Sequence, residues 1–115
     1  MSSVVRQLIF GTLAATGAVA TWYHNVKFMI ATGGFSLSEF VSACYVNAAS
    51  SSLTNDALIA AITFIFFSYF ETRRLRMKNW WIYVVLTLSI AVAFAFPLFM
   101  IMRERAVARA DQSNA

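Results

Sequence analysis

The chain has 115 residues, of which 60% are hydrophobic and 12% are charged, with a formal net charge of +4. A soluble domain of this length has too little interior to hide so much apolar surface. Soluble proteins also carry about 25% charged residues. The composition therefore predicts one membrane domain over 1–115. It argues against nucleic-acid binding, which would need a basic face on a polar fold.

The first apolar segment covers about 4–24 and is interrupted only near its start, by Arg6 and Gln7. A membrane span needs about 20 mostly apolar residues, so this segment is long enough, and its helix can continue toward Ala31. A cleaved signal peptide is the alternative, with Ala18-Val19-Ala20 as the A-x-A cleavage site. We expect the segment to be retained as a span.

A short helix is predicted between the first two spans. Thr32-Gly33-Gly34 breaks the first helix, and Ser36-Leu37-Ser38-Glu39 has the pattern of a capping box. Apolar residues then recur at helical spacing as far as about 46, and the run 48–52 ends the pattern. Because 36–46 is too short to span, it is predicted to lie at the membrane interface.

Two further spans are predicted over about 53–73 and 80–102. The loop between them holds four cations: Arg73, Arg74, Arg76 and Lys78. An aromatic belt, Trp80, Trp81 and Tyr83, follows this loop. Pro97 removes the hydrogen bond to the Ala93 carbonyl and predicts a kink in the third span. The predicted fold is an all-α bundle of about three transmembrane helices plus one interfacial helix.

Three spans would place the N-terminus and the four-cation loop on one side and the C-terminus on the other. Arg6 shares the side of the loop, whereas Lys27, Arg103, Arg105 and Arg109 fall on the opposite side. The tight basic loop favours a cytoplasmic N-terminus under the positive-inside rule. We therefore expect a multi-pass protein of the cell membrane, in a bacterial inner membrane.

This topology collects polar residues at the outer, non-cytoplasmic end. Polar groups near lipid are costly unless paired, and they often mark function. The outer mouth of the bundle is therefore the predicted site. Its members are His24, Asn25, Glu39, Asn47, Asn55, Asp56 and Arg103, with Lys27 and Glu104 beside them.

Two members of this cluster have specific chemistry. Asp56 is the candidate acid of a catalytic site, although a place in the first helical turn would make it a partner of the helix dipole. His24 is a candidate axial ligand for haem or chlorophyll, and interfacial packing is its other interpretation. Asp56 and Glu71 lie about 22 Å apart along one helix, so they cannot act as an acid–base pair.

No metal site is predicted, because one cysteine and one histidine fall short of the usual three or four zinc ligands. No cofactor is predicted beyond contact with lipid, carotenoid or chlorophyll. Small residues spaced four apart allow close helix approach. These pairs are Gly11 with Ala15, Ala14 with Ala18, and Ala91 with Ala95.

Several motifs resemble an uncharacterised family of short bacterial membrane proteins with three spans. They are Gly34-Phe35-Ser36-Leu37, Asn47, Ser51-Ser52-Leu53 with Asp56, Glu71-Thr72-Arg73-Arg74-Leu75-Arg76-Met77 with Trp81, Phe96-Pro97-Leu98-Phe99 and Arg103-Glu104-Arg105. The resemblance extends from Trp22 to Arg105. It implies the same architecture and supplies no activity.

The sequence favours a non-enzymatic function, as an accessory or structural subunit of a larger membrane complex or as a homo-oligomer. The expected partners are the lipid bilayer and other membrane subunits. The alternative is a membrane-embedded enzyme or binding module for an isoprenoid, lipid or pigment, with its site at the outer mouth and Asp56 as the acid.

Overall fold

A computed structural model describes residues 2–34 and 36–113. Within them the chain forms five α-helices and no strand. The helices are α1 Ser3–Thr32, α2 Leu37–Cys44, α3 Ala48–Arg74, α4 Trp80–Ser89 and α5 Val92–Ser113. Phe35, one of the residues that carry the family resemblance, lies outside the described residues.

Two helices, α1 and α3, are long and apolar enough to cross a membrane. They have 30 and 27 residues, or about 40–45 Å of helix against about 30 Å of bilayer hydrocarbon. Within an apolar stretch of 18 residues in each helix, only 6% of the residues in α1 and 11% in α3 are buried inside the chain. Their side chains therefore face outward, unlike those of core helices in a compact soluble protein. The sequence predicted three such spans, one more than the described residues contain.

The start of α3 lies five residues before the predicted start of the second span. The Asn47 side-chain oxygen accepts the Ser50 backbone N–H at 2.8 Å, and the Ser50 hydroxyl accepts the Asn47 N–H at 3.2 Å. This capping box converts the serine run from a linker into the first helical turn. Asp56 consequently lies more than two turns into α3, beyond the reach of the helix-terminal charge.

The segment 80–102, predicted as one span, is divided into a helical hairpin. The helix α4 ends at Ser89, the chain reverses at Ile90 and Ala91, and α5 runs back beside α4. The ring centroids of Tyr83 and Phe99 are 5.0 Å apart. One straight helix would separate these residues by about 24 Å. The chain therefore returns to the end from which α4 began.

The central helix is α5, which packs against α1, α3 and α4. Its core contains four buried residues: Phe64, Tyr83, Ala95 and Phe99. Phe64, a member of this cluster, also stacks on Phe96, with 4.8 Å between the ring centroids. Pro97 lies inside α5 without ending it. Because Pro97 offers no N–H, the Ala93 carbonyl is free to lie against α1.

The hairpin changes which charges share an end of the molecule. The start of α1, the loop between α3 and α4, and the last turns of α5 all lie together. We name this the basic end. It holds eight of the nine Lys and Arg residues: Arg6, Arg73, Arg74, Arg76, Lys78, Arg103, Arg105 and Arg109. Only Lys27 lies toward the opposite, outer end, so the expected division of five against four is corrected.

Candidate functional site

One ion pair at the basic end joins the first turns of α1 to α5. The Arg6 guanidinium donates to the two carboxylate oxygens of Glu104 at 2.9 and 3.0 Å, and the Ser3 hydroxyl donates at 3.3 Å. Glu104 is 8% exposed. Hydrogen bonding from Arg6 lowers the pKa of Glu104, and burial opposes this only in part. Glu104 was expected at the outer end, and the hairpin places it here instead.

A second ion-pair cluster joins α3 to α5. Glu71 accepts two hydrogen bonds from Arg74, at 2.7 and 3.0 Å, and another from Arg103. Arg103 was predicted to belong to the outer polar cluster. That placement is corrected, because the reversal at 90–91 carries Arg103 back to the basic end. The charged residues here thus hold the ends of three helices together.

Next to these pairs lies a groove of about 790 Å³, which we name the basic groove. Its walls come from the loop between α3 and α4 and from one face of α5. The lining residues include Arg74, Arg76, Lys78, Asn79, Tyr83 and Arg109. Arg74 is paired with Glu71, which it shares with Arg103. Within 2–34 and 36–113, the other three cations have no ion-pair or hydrogen-bond partner.

The residues of the predicted outer cluster make separate local contacts and do not form one site. Asn47 caps α3, and Asn55 accepts a hydrogen bond from the Tyr45 hydroxyl at 2.8 Å. His24 is exposed, and its ring meets the edge of the neighbouring Tyr23 ring at 5.2 Å. No single cavity among the described residues brings the seven predicted residues together.

Glu39 and Asn25 occupy different surroundings. The Glu39 backbone N–H donates to the Ser36 hydroxyl at 3.4 Å, which is one half of the predicted capping box. The Glu39 side chain is exposed. Asn25 lines an apolar groove of about 720 Å³ between α1, α2 and the reversal at 90–91. We name this the outer groove. Over the described ranges, no group of three or more His, Cys, Asp or Glu residues can hold a metal ion.

Asp56 lies at one end of an apolar cleft between α1 and α3. Both helices pack on α5, whose residues Ala93 and Phe96 line the cleft between them. Adjoining cavities of about 420 and 470 Å³ share Ala60 and Phe96. We name this surface the α1–α3 cleft. Asp56 makes no ion pair or hydrogen bond within the described part of the chain.

Sequence reasoning missed two residues that fix α1 against the hairpin. A side chain on Gly17 would place its Cβ 2.3 Å from the Ala93 carbonyl oxygen. Trp22 donates its indole N–H to the Ile90 carbonyl at 3.0 Å. The glycine carried a usable signal, because glycine inside a helix costs about 1 kcal/mol relative to alanine and often marks close packing.

The fold and its ends define an all-α protein with two helices long and apolar enough to span a membrane, and a strongly basic end. The chain belongs to the family described as "Protein of unknown function DUF2834", which matches residues 9–105. The uncharacterised family expected from the motifs is thereby confirmed. No curated protein and no solved structure was found to match the chain.

Proposed function

We propose that the chain is a non-catalytic membrane subunit that pairs with a second copy of itself through the α1–α3 cleft. In this arrangement α1 and α3 cross the bilayer, and the α4–α5 hairpin enters it from the side of the basic end. The basic end lies in the cytoplasm. The observation that carries the proposal is the open apolar cleft between two outward-facing apolar helices.

The placement of the hairpin is supported by the hydrogen bonds at its tip. Backbone groups at membrane depth need partners inside the protein, because lipid offers none. The Leu86 carbonyl accepts the N–H groups of Ile90 and Ala91, at 2.9 and 3.1 Å. The Ile90 carbonyl accepts from Trp22. A re-entrant turn with these bonds is compatible with an apolar surrounding.

The cytoplasmic orientation is supported by the distribution of charge. Cytoplasmic segments of membrane proteins carry an excess of Lys and Arg near the ends of their spans. Eight of the nine cations of this chain lie at the basic end, and only Lys27 lies toward the outer end. This asymmetry is far larger than the one that three consecutive spans would have given.

The amount of exposed surface supports pairing. A compact chain of this mass would expose about 6,300 Å², whereas this chain exposes 7891 Å². The excess surpasses the roughly 800 Å² that each partner contributes to a standard protein interface. The helices therefore leave enough surface uncovered for one further helix to pack on each copy.

The chain itself offers a matching helix for the cleft. No Asp, Glu, Lys or Arg occurs in α1 between Arg6 and Lys27, and its outer face exposes Leu8 and Ile9. The α1–α3 cleft is equally apolar except for Asp56. An uncharged helix is a suitable occupant, because it brings no unpaired ion into the interface. We therefore assign α1 of the second copy to the cleft.

The test is the mass of the purified protein in mild detergent, measured by light scattering. The unmodified chain is expected to form particles of two copies. Ala60→Trp fills the cleft and is expected to give single copies, whereas Val85→Trp, at a half-exposed position on α4 that belongs neither to the cleft nor to α1, should leave the pairs intact. Single unmodified chains, with or without bound lipid, would contradict the proposal.

A second candidate function is binding of an isoprenoid or pigment in the outer groove. The groove volume of about 720 Å³ lies in the range of about 300–1,000 Å³ for small-molecule sites. Its lining is mostly apolar, with Trp22, Phe40 and Leu88, and Asn25 supplies a polar group. Solvent extraction and an absorption spectrum of the purified protein test this candidate. A colourless sample without extractable isoprenoid removes it.

A further inference from the structure

The basic groove combines unneutralised positive charge with concave shape. Arg76 and Lys78 lie on its loop wall and Arg109 on its α5 wall. Two acidic groups of the basic end, Glu71 and Glu104, are already committed to Arg74 and Arg6, and Asp111 lies two residues after Arg109 on α5 without lining the groove. Three like charges around one groove repel each other. An anion bound between them would be attracted by all three and would offset this repulsion.

The loop between α3 and α4, which forms one wall of the groove, has a backbone conformation at Arg76 that is unfavourable for a residue with a side chain. Arg76 has φ of 55°, in the left-handed region, and the Met77 N–H donates to the Thr72 carbonyl at 2.9 Å. This is the Schellman ending of α3, in which the left-handed position is usually glycine. A side chain there costs about 1–2 kcal/mol. An arginine therefore stands at a position where the fold alone would favour glycine.

One wall of the groove also carries a tyrosine hydroxyl group. Tyr83 lines the groove and is only 7% exposed, and its ring packs against Phe99. Its hydroxyl has no hydrogen-bond partner within the part of the chain that the structure describes. Because this hydroxyl reaches the groove without a protein partner, it can donate a hydrogen bond to a ligand there.

We propose that the basic groove binds a phosphate group of an anionic ligand. Arg76, Lys78 and Arg109 supply charge-assisted hydrogen bonds to the phosphate oxygens, and the Tyr83 hydroxyl donates a further one. Met77 and Met102 line the same groove and contact the apolar part of the ligand. The phosphate is that of a lipid headgroup or of a soluble phosphoester. The inference goes beyond pairing through the α1–α3 cleft and does not depend on it.

The experiment measures binding to the purified chain in dodecyl maltoside, a detergent without a phosphate group, with two probes. One probe is phosphatidylglycerol added to the micelles, detected by native mass spectrometry, and the other is inorganic phosphate in solution, detected by calorimetry. Saturable binding of the lipid alone identifies a headgroup site. Saturable binding of inorganic phosphate identifies a soluble source. Binding of neither probe overturns the proposal.

Variants separate a built site from general surface charge. Arg76→Gly is expected to weaken binding by about tenfold or more, the equivalent of one charge-assisted hydrogen bond. The same variant should leave the fold equally or more stable, because glycine suits the left-handed position. Tyr83→Phe should weaken binding by less. Arg105→Gln is the matched control, because Arg105 donates to Gln7 and lies outside the groove.

Equal loss of binding in Arg76→Gly and Arg105→Gln would overturn the proposal, because the attraction would then be that of net charge alone. Unchanged binding in Arg76→Gly would overturn it as well. Melting temperatures of the variants show whether a loss of binding reflects unfolding. The proposal can therefore fail while pairing through the α1–α3 cleft still holds.

Discussion

Trp22 on α1 donates its indole N–H to the backbone carbonyl of Ile90 at a distance of 3.0 Å. This carbonyl lies at the reversal between α4 and α5, where no further helical turn can supply a donor. The bond therefore joins a long apolar helix to the tip of the hairpin. In an apolar surrounding such a bond is valuable, because the unpaired carbonyl would lose its partner without gaining water.

Trp22→Phe should destabilise the protein by about 1–3 kcal/mol, because it leaves the Ile90 carbonyl unpaired while keeping an aromatic ring. Unfolding by denaturant in detergent measures the loss. Trp81→Phe is the control, since Trp81 is 60% exposed and no hydrogen bond of its indole occurs among the described residues. Equal stability of the two variants would contradict the role assigned to Trp22.

Gly17→Ala should destabilise the contact between α1 and α5 by about 1–3 kcal/mol, the usual cost of overpacking. The added Cβ would lie 2.3 Å from the Ala93 carbonyl oxygen, so one helix has to move. Gly11→Ala is the matched control, because its Cβ would meet its nearest neighbour, Ile101, at 3.7 Å. That variant should be neutral or stabilising, since alanine favours helix. Thermal unfolding in detergent distinguishes the two.

Cysteine labelling tests the hairpin and the orientation together. The natural Cys44 lies on α2 at the outer end and should react with a membrane-impermeant maleimide in intact cells. In a Cys44→Ser background, Gln112→Cys should react only after the membrane is opened, because α5 returns to the basic end. Three consecutive spans would instead expose both thiols on one side. Labelling of both in intact cells would thus contradict the hairpin.

The ion pair between Arg6 and Glu104 should make stability depend on pH. The pKa of Glu104 in the folded protein lies below its ordinary value of 4.5. The stabilisation that ionised Glu104 gives to the folded protein is therefore complete above about pH 4.5. It is lost as the pH falls through the pKa of Glu104 in the folded protein. Glu104→Gln should lower the melting temperature at about pH 7 and have little effect below the folded pKa. Glu39→Gln, at an exposed position, should leave the pH profile unchanged.

Some of the architecture could be read from local sequence. Long uncharged runs indicated α1 and α3, and Thr32-Gly33-Gly34 indicated the end of the first helix, where Gly33 adopts φ of 76°. These signals are local because chain length, hydropathy and left-handed backbone each depend on a few neighbouring residues. The capping of α3 was missed, since Asn47 and Ser50 form a less common version of the capping box.

The reversal at Ile90 and Ala91 had no local signal. Neither residue is a glycine, proline or asparagine, and hydropathy is the same for a straight span and for two apolar limbs of a hairpin. Only contacts distant in sequence distinguish the two, such as Tyr83 with Phe99 and Trp22 with Ile90. The placement of Arg103 and Glu104 failed for this reason, since each was assigned to the outer end by counting spans.

By itself, the sequence determined that this chain is helical, rich in apolar surface and a member of an uncharacterised family, because composition and periodicity are properties of the chain alone. The tertiary structure decided where the charges meet. Reversing one apolar segment gathered eight of nine cations at one end and formed the basic groove. Packing of α5 against three helices fixes that reversal, and no local pattern contains it.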